Sequence, residues 1–144
     1  MEQQISDYLF VYSSLLKGFQ SEEYRYIHKY FNLVGKAKVK GILSDLGNNP
    51  VAKPTTENLF IKGELYKIND HEEFSFAIGQ LDDYEGVSPA EYESPLYIRE
   101  LATVFKEDQS EVVAWIYWYN GDVEGKPVIE SGDVLEYAKA KNLR

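Results

Sequence analysis

The feature that most constrains the fold of this chain is a short, continuous apolar run close to its start. Tyr8 to Tyr12 holds five apolar or aromatic residues in succession and then breaks into the polar pair Ser13-Ser14. A run of this length without alternation is typical of a β-strand that is covered on both faces. Val112 to Tyr119 has the same character near the other end of the chain. We therefore expect two strands that are buried on both sides.

Three further strands are predicted from composition and alternation. Lysines alternate with Ala37 and Val39 in one segment, a pattern typical of a half-exposed strand. This segment is Lys36–Lys40, and two longer predicted strands follow it, Asn58–Ile68 and Leu96–Phe105. Leu46 to Pro54 contains Gly47, two asparagines and two prolines, so we expect a loop there.

Helices are predicted to begin at residues that can cap them, namely Ser21, Asp70 and Asp133. In the second helix, apolar residues recur at helical spacing, and Gly86 suits the left-handed position that ends a helix. The apolar residues of that helix are Phe74, Ala77, Ile78 and Leu81. Several strands with few helices predict an α+β fold with a curled sheet, and a length of 144 residues predicts one domain, 1–144.

Composition excludes several classes of function. The net charge of −9 argues against nucleic-acid binding and favours a monomer, although a dimer is possible. No apolar run approaches the ~20 residues of a membrane-spanning helix, and the first residues lack a secretion signal, so we expect a cytoplasmic protein. The chain has no cysteine, and His28 and His71 lack metal-ligand spacing and partners. We therefore expect two surface histidines, no metal and no cofactor.

The turn after the first strand is a candidate anion-binding site. Between Tyr12 and Gly18 a buried strand runs into small residues, and consecutive backbone N–H groups in such a turn can point at one phosphate or carboxylate. An ordinary strand-to-loop turn explains the same residues. Ser13 and Ser14 have no adjacent histidine, so a Ser-His-Asp hydrolase is disfavoured.

Glu85 is a candidate general base. Helical spacing places it in the last turn of its helix, where the macrodipole disfavours a negative charge, and Asp82 and Asp83 add like-charge repulsion. Both effects raise a carboxyl pKa, and shielding by Tyr84 would raise it further, toward the ~6–7 that suits a base near neutral pH. The alternative is an acidic helix end that simply faces water.

Aromatic and charged strand residues complete the candidate set. Tyr97 and Arg99 share one face of a strand and can orient a polar ligand, unless Arg99 only pairs with a carboxylate such as Glu64. The aromatic segment Trp115–Tyr119 is interpreted mainly as core, although a protein- or sugar-binding surface on an exposed edge is a third alternative.

Several of these segments together resemble a known family. Four motifs in this order resemble those of the γ-glutamylcyclotransferase-like (AIG2-like) family, from about Tyr8 to Tyr119. They are Phe10-Val11-Tyr12-Ser13-Ser14-Leu15, Gly63-Glu64-Leu65-Tyr66, Leu81-Asp82-Asp83-Tyr84-Glu85-Gly86 and Tyr97-Ile98-Arg99. The resemblance implies a small mixed β-barrel flanked by a few helices, with a pocket at one barrel end.

The resemblance also implies an activity and its residues. Members of the family cleave γ-glutamyl amides by cyclisation, which releases 5-oxoproline and a free amine without a metal or cofactor. Glu85 matches the family's catalytic glutamate. Tyr12, Ser13, Ser14 and Leu15 match its ligand-holding loop, and Tyr97 matches its pocket tyrosine.

Two departures from the family pattern bear on substrate and activity. Ser13 stands where the family usually has glycine, which permits unusual backbone angles and close ligand approach. The stretch Val87 to Pro95 is longer than in compact relatives and can lie over the pocket mouth. An alternative therefore stays open, in which the pocket binds a γ-glutamyl or amino-acid-like ligand without turning it over.

Overall fold

A computed structural model describes residues 6–12, 22–46, 50–85, 97–134 and 136–137, with the backbone alone at 22–24 and 84–85. Among them are seven strands and two α-helices. The strands are β1 (Tyr8–Val11), β2 (Phe31–Lys40), β3 (Ile42–Asp45), β4 (Pro50–Lys53), β5 (Phe60–Ile68), β6 (Tyr97–Lys106) and β7 (Glu111–Tyr119). The helices are α1 (Glu22–Tyr30) and α2 (Phe74–Glu85), and a 3-10 turn, His71–Glu73, leads directly into α2.

Five of these strands close into a barrel in the order β1-β5-β2-β6-β7. Neighbours in the barrel are antiparallel, except that β1 and β7 run parallel and meet at Leu9 and Trp115. The remaining strands, β3 and β4, form a separate antiparallel pair. The predicted α+β fold, a small mixed barrel with few helices, is confirmed.

The two continuous apolar runs form β1 and β7, which are neighbouring strands of this barrel. Leu9 and Phe10 point to opposite faces of β1, and both are buried, so β1 is covered on both sides as predicted. In β7, Ile116, Tyr117 and Trp118 are buried as well. The aromatic strand therefore belongs to the core, and the interpretation of its tryptophan Trp118 as part of an exposed binding edge is wrong.

The predicted loop between Leu46 and Pro54 is partly wrong, because β4 occupies Pro50–Lys53 within it. Val51 and Ala52 are buried, and among the described strands β4 pairs only with β3. Proline is tolerated at the first residue of a strand that lies at a sheet edge, where its missing N–H breaks no ladder. Burial of two small apolar side chains thus outweighs the turn-like composition.

Helix α2 packs on the core through the apolar residues predicted for it. Phe74, Ala77, Ile78 and Leu81 are buried, and the ring of Phe74 meets that of Phe31 at 6.4 Å. Asp70 caps this segment as expected, since its carboxylate accepts a hydrogen bond from the N–H of Glu72, although the first turn is 3-10.

The other predicted helices are described in part. In α1, Ile27 is buried, whereas the capping residue predicted for it, Ser21, lies outside the described residues. Residues 134, 136 and 137 are helical, and the Asp133 carboxylate accepts from the N–H of Glu136 at 3.0 Å, as a capping residue does. No helix in the described ranges is long and apolar enough to cross a membrane.

Candidate active site

A hydrogen bond joins the end of β1 to β7, the last strand of the barrel. Tyr12 follows β1 directly, and its hydroxyl donates a hydrogen bond to the backbone oxygen of Tyr117 at 2.6 Å. Both residues are buried. The chain therefore leaves β1 beside Tyr117, and this is where the predicted anion-binding turn begins.

The last turn of α2 is hydrogen-bonded to Tyr117 as well. The Tyr117 hydroxyl donates to Oδ1 of Asp82 at 2.8 Å. Arg99 donates to both oxygens of that carboxylate, from Nε to Oδ1 at 2.8 Å and from Nη2 to Oδ2 at 3.0 Å. Such a two-point contact fixes orientation as well as distance. We call Asp82, Arg99 and Tyr117 the Asp82 cluster.

The Asp82 cluster is largely shielded from water. The side chains of Asp82 and Arg99 are 14% and 22% exposed, and shielding strengthens the attraction between opposite charges. The guanidinium of Arg99 also stacks on the ring of Trp115, 4.5 Å from its centroid. The cluster therefore joins α2 to both β6 and β7.

Two sequence-based interpretations change here. Arg99 pairs with Asp82 and not with Glu64, whose carboxylate accepts a hydrogen bond from the Tyr66 hydroxyl at 3.0 Å. Asp82 entered the sequence argument only as a charge that repels Glu85. In the structure the guanidinium of Arg99 balances that charge.

Tyr97 lies at the same end of β7 as Tyr12. It is the first residue of β6 and stands opposite Tyr119, with the two rings 5.7 Å apart in an edge-to-face arrangement. Arg99, two residues later, stands opposite Tyr117. The structure thus brings the two predicted ligand-binding tyrosines, Tyr12 and Tyr97, to one end of the barrel.

The other predicted site residues are only partly described. Glu85 is the last residue of α2, as the spacing predicted, whereas its side chain lies outside the described residues. The same holds for Ser13, Ser14 and Leu15 and for the stretch 87–95. Their roles stay predictions.

The two histidines lie on the surface as predicted, His28 in α1 and His71 in the 3-10 turn. The expectation that His71 has no partner is wrong, because its Nδ1 lies 2.8 Å from Oδ1 of Asp7. This contact joins the residue before β1 to the start of α2.

Sequence reasoning missed the positions of Asp82 and Tyr117 in the site. Their hydrogen bond joins residues 35 positions apart, so no local pattern contains it. One signal was present: Asp82 follows Ile78 by four positions and therefore shares the buried face of α2. A carboxylate on a buried face needs a partner, because an unpaired buried charge is costly.

Comparisons with known proteins agree with this geometry. The family described as "Gamma-glutamyl cyclotransferase, AIG2-like" matches residues 9–136. A protein of Methanocaldococcus jannaschii with the name "Putative gamma-glutamylcyclotransferase MJ1514" is 28% identical over 132 residues, which are 91% of this chain and 98% of that protein.

Solved structures show the same fold. YkqA from Bacillus subtilis superposes with a TM-score of 0.70 at 23% identity over 97% of this chain, which spans 44% of the YkqA chain. Protein ytfP from Escherichia coli has a TM-score of 0.59 and 27% identity, with 91% of this chain and 98% of that chain covered. The family match covers most of the chain, and the chain therefore belongs to the gamma-glutamyl cyclotransferase, AIG2-like family.

Proposed function

We propose that this protein cleaves a γ-glutamyl amide by intramolecular cyclisation, releasing 5-oxoproline and a free amine, with Glu85 as the general acid and base. The substrate is a small molecule, and the backbone N–H groups of Ser13, Ser14 and Leu15 hold it. Tyr12 and Tyr97 border the same pocket. The proposal needs no cofactor and extends the family assignment to a reaction and to named residues.

One observation carries the proposal: Tyr12 and Asp82 both bind Tyr117. The backbone oxygen of Tyr117 accepts from Tyr12, and its hydroxyl donates to Asp82. Tyr12, the residue before the predicted anion-binding turn, and Asp82, in the last turn of α2, therefore contact the same residue. Glu85 follows Asp82 by three positions, about 4.5 Å along the helix axis and on the same side of it. These distances support a shared pocket for Glu85 and residues 13–15.

The reaction begins when the Glu85 carboxylate takes a proton from the substrate α-ammonium. The freed amine attacks the γ-carbonyl carbon and forms the ring C–N bond, while backbone N–H groups stabilise the oxyanion. The former amide C–N bond then breaks, and its nitrogen takes the proton from Glu85. A second proton passes from the ring nitrogen to the released amine. The amine leaves as an ammonium ion, and the lactam nitrogen becomes neutral.

Most of the acceleration is expected from positioning. Both reacting groups belong to one substrate molecule. A pocket that holds them face to face lowers the activation free energy, because their freedom of orientation is lost on binding and not in the transition state. Proton transfer by Glu85 adds a factor of about 10²–10⁴. The anchoring of α2 by the Asp82 cluster fits this requirement, because it limits movement of the helix end that carries Glu85.

The experiment that tests the proposal is incubation with a panel of γ-glutamyl compounds. The panel includes γ-glutamyl amino acids, glutathione, γ-glutamyl amines and γ-glutamyl-capped peptides, and chromatography measures 5-oxoproline. We expect at least one compound to yield 5-oxoproline and an equal amount of amine. Absence of product from every compound would count against the reaction.

Ser13 favours a second candidate function, a pocket that binds a γ-glutamyl or amino-acid-like ligand without cleaving it. Ser13 stands where the family usually has glycine, and a serine side chain needs more space than the hydrogen atom of glycine. This alternative predicts that a compound of the panel raises the melting temperature while no 5-oxoproline forms. Ser13→Gly would then create turnover, whereas the first proposal expects it to change the rate of an existing reaction.

A further inference from the structure

A concave surface rich in lysine lies where β2, β5 and the β6–β7 turn meet. It encloses about 540 Å³ and is lined by Lys36, Lys38, Lys62 and Lys106. Its volume falls within the usual range of small-molecule sites, ~300–1,000 Å³. We call it the lysine cavity. Among the described residues, Asp82, Arg99 and Tyr117 do not line it.

Three of its lysines face the same side of the sheet. Lys38 of β2 stands directly opposite Lys62 of β5. Neighbouring strands are about 4.8 Å apart, and Lys36, two positions before Lys38, lies on the same face about 7 Å away. Because each ammonium ends a long flexible stem, all three can reach one small group in the cavity.

Two of these lysines, Lys38 and Lys62, stand opposite each other and so have no carboxylate opposite them across the β2–β5 pair. In the described ranges no ion pair within 4 Å joins Lys36, Lys38 or Lys62 to an acidic side chain, even though the whole chain has a net charge of −9. The Lys38 ammonium instead lies 4.5 Å from the ring centroid of Phe60. Like charges placed directly opposite on two strands destabilise a sheet. The repulsion between Lys38 and Lys62 is therefore unfavourable, and a bound anion would reduce it.

Three carboxylates of the described residues also line the lysine cavity, and one of them, Glu64, stands opposite Lys36 in register. Glu64 accepts the hydroxyl of Tyr66 at 3.0 Å, and Asp133 accepts the N–H of Glu136 at 3.0 Å. Glu107, in the β6–β7 turn, is the third. Among the described lining residues, four ammonium groups against three carboxylates leave an excess of one positive charge.

We propose that the lysine cavity binds a small anion with two or more negative charges, a phosphate or a polycarboxylate, at a site separate from the pocket of Glu85. Ammonium groups on flexible stems suit such ligands, because they act as point charges that adjust to either geometry. The cavity borders β1, since Glu64 pairs with Val11 in register. The proposed anion site is therefore close to the end of β1, and none of its described lining residues belongs to the Asp82 cluster.

Isothermal titration calorimetry of the full chain at low ionic strength tests this proposal, with inorganic phosphate, pyrophosphate and citrate as probes. We expect at least one probe to bind and its affinity to fall as sodium chloride is added. The double variant Lys38→Gln/Lys62→Gln should weaken binding at least tenfold, because each lost charge-assisted contact accounts for about that factor. Comparison of the probes distinguishes a phosphate ligand from a carboxylate ligand.

Two variants serve as controls. Lys40→Gln removes an exposed lysine of the same strand that does not line the cavity, and it should leave affinity unchanged. Glu85→Gln should also leave affinity unchanged, which separates this proposal from the proposed reaction. The double lysine variant should melt at the same or a higher temperature than the wild type, because a repulsive pair is removed.

Three results would overturn the inference. The first is that no probe binds at concentrations up to about 10 mM. The second is an equal loss of affinity in Lys40→Gln and in the double variant, which would show attraction to surface charge in general. The third is loss of anion binding in Glu85→Gln, which would place the anion in the candidate active site.

Discussion

At the scale of single residues, two glycines differ sharply in what surrounds them. A Cβ atom added to Gly63 would lie 2.1 Å from the backbone oxygen of Val11 and 2.7 Å from Cζ of Phe10, whereas one added to Gly79 would meet nothing within 4 Å. We predict that Gly63→Ala lowers the free energy of unfolding by about 1–3 kcal/mol, because β1 and β5 must move apart. Chemical denaturation measures the change.

Gly79→Ala is the matched control for that prediction. Gly79 lies inside α2, so alanine should raise the free energy of unfolding by about 0.5–1 kcal/mol through its higher helix propensity. If Gly63→Ala proves as stable as Gly79→Ala, the close packing of β5 against the end of β1 is wrong.

A second residue-scale prediction concerns Tyr26 of α1. Burial, with a smaller contribution from Tyr30, raises the pKa of Tyr26 from 10.0 to about 12. The unfolded chain therefore releases this proton at a lower pH than the folded chain, and the free energy of unfolding falls as the pH rises from about 10 to about 12. The contribution is complete below pH 10.

Tyr26→Phe removes that proton and should flatten this part of the stability profile. It also removes the hydrogen bond from the Tyr26 hydroxyl to the backbone oxygen of Ala77, 3.2 Å, so the variant should be less stable at pH 8 by about 0.5–1.5 kcal/mol. Denaturation of both proteins at several pH values provides the comparison. Parallel profiles above pH 10 would contradict the assigned pKa.

At the scale of elements, the last turn of α2 depends on one carboxylate. Asp82 receives hydrogen bonds from Arg99 and Tyr117, which belong to different strands. We predict that Asp82→Asn lowers the free energy of unfolding by about 1–3 kcal/mol, because it leaves a shielded guanidinium without its counter-charge. It should also reduce kcat for 5-oxoproline release, since the helix end that carries Glu85 loses its anchor.

Asp83→Asn is the control for Asp82→Asn, because Asp83 is the adjacent acid and is exposed. Its stability should stay within about 0.5 kcal/mol of the wild type, and its kcat should not change. If both variants behave alike, the net charge of the helix end and not the Asp82 cluster explains the effect.

The elements also show what local sequence can predict. Apolar spacing was sufficient for β1, β5 and α2, because these segments bury side chains at a regular period. It failed for β4, where Pro50 and the neighbouring asparagines have turn-like composition while Val51 and Ala52 are buried against the rest of the fold. That burial depends on partners elsewhere in the chain, which a local window does not contain.

At the scale of the whole molecule, the closure of the barrel assembles the site. The parallel contact of β1 with β7 brings Tyr12 to Tyr117, 105 positions later in the chain. Local patterns identified Tyr12 and Glu85 as separate candidates, and the resemblance to a family was needed to relate them. Neither the local patterns nor the resemblance predicted the pairing of Asp82 with Arg99, because it depends on how α2 lies across β6 and β7.

The central claim, that Glu85 transfers the proton in a cyclisation reaction, is tested most directly by one comparison. Wild-type protein and Glu85→Gln are incubated with a γ-glutamyl compound that the wild type cleaves, and 5-oxoproline is measured while melting temperatures confirm that both are folded. We predict that Glu85→Gln melts like the wild type and forms 5-oxoproline at least about 10²-fold more slowly. A Glu85→Gln protein with wild-type activity would contradict the claim.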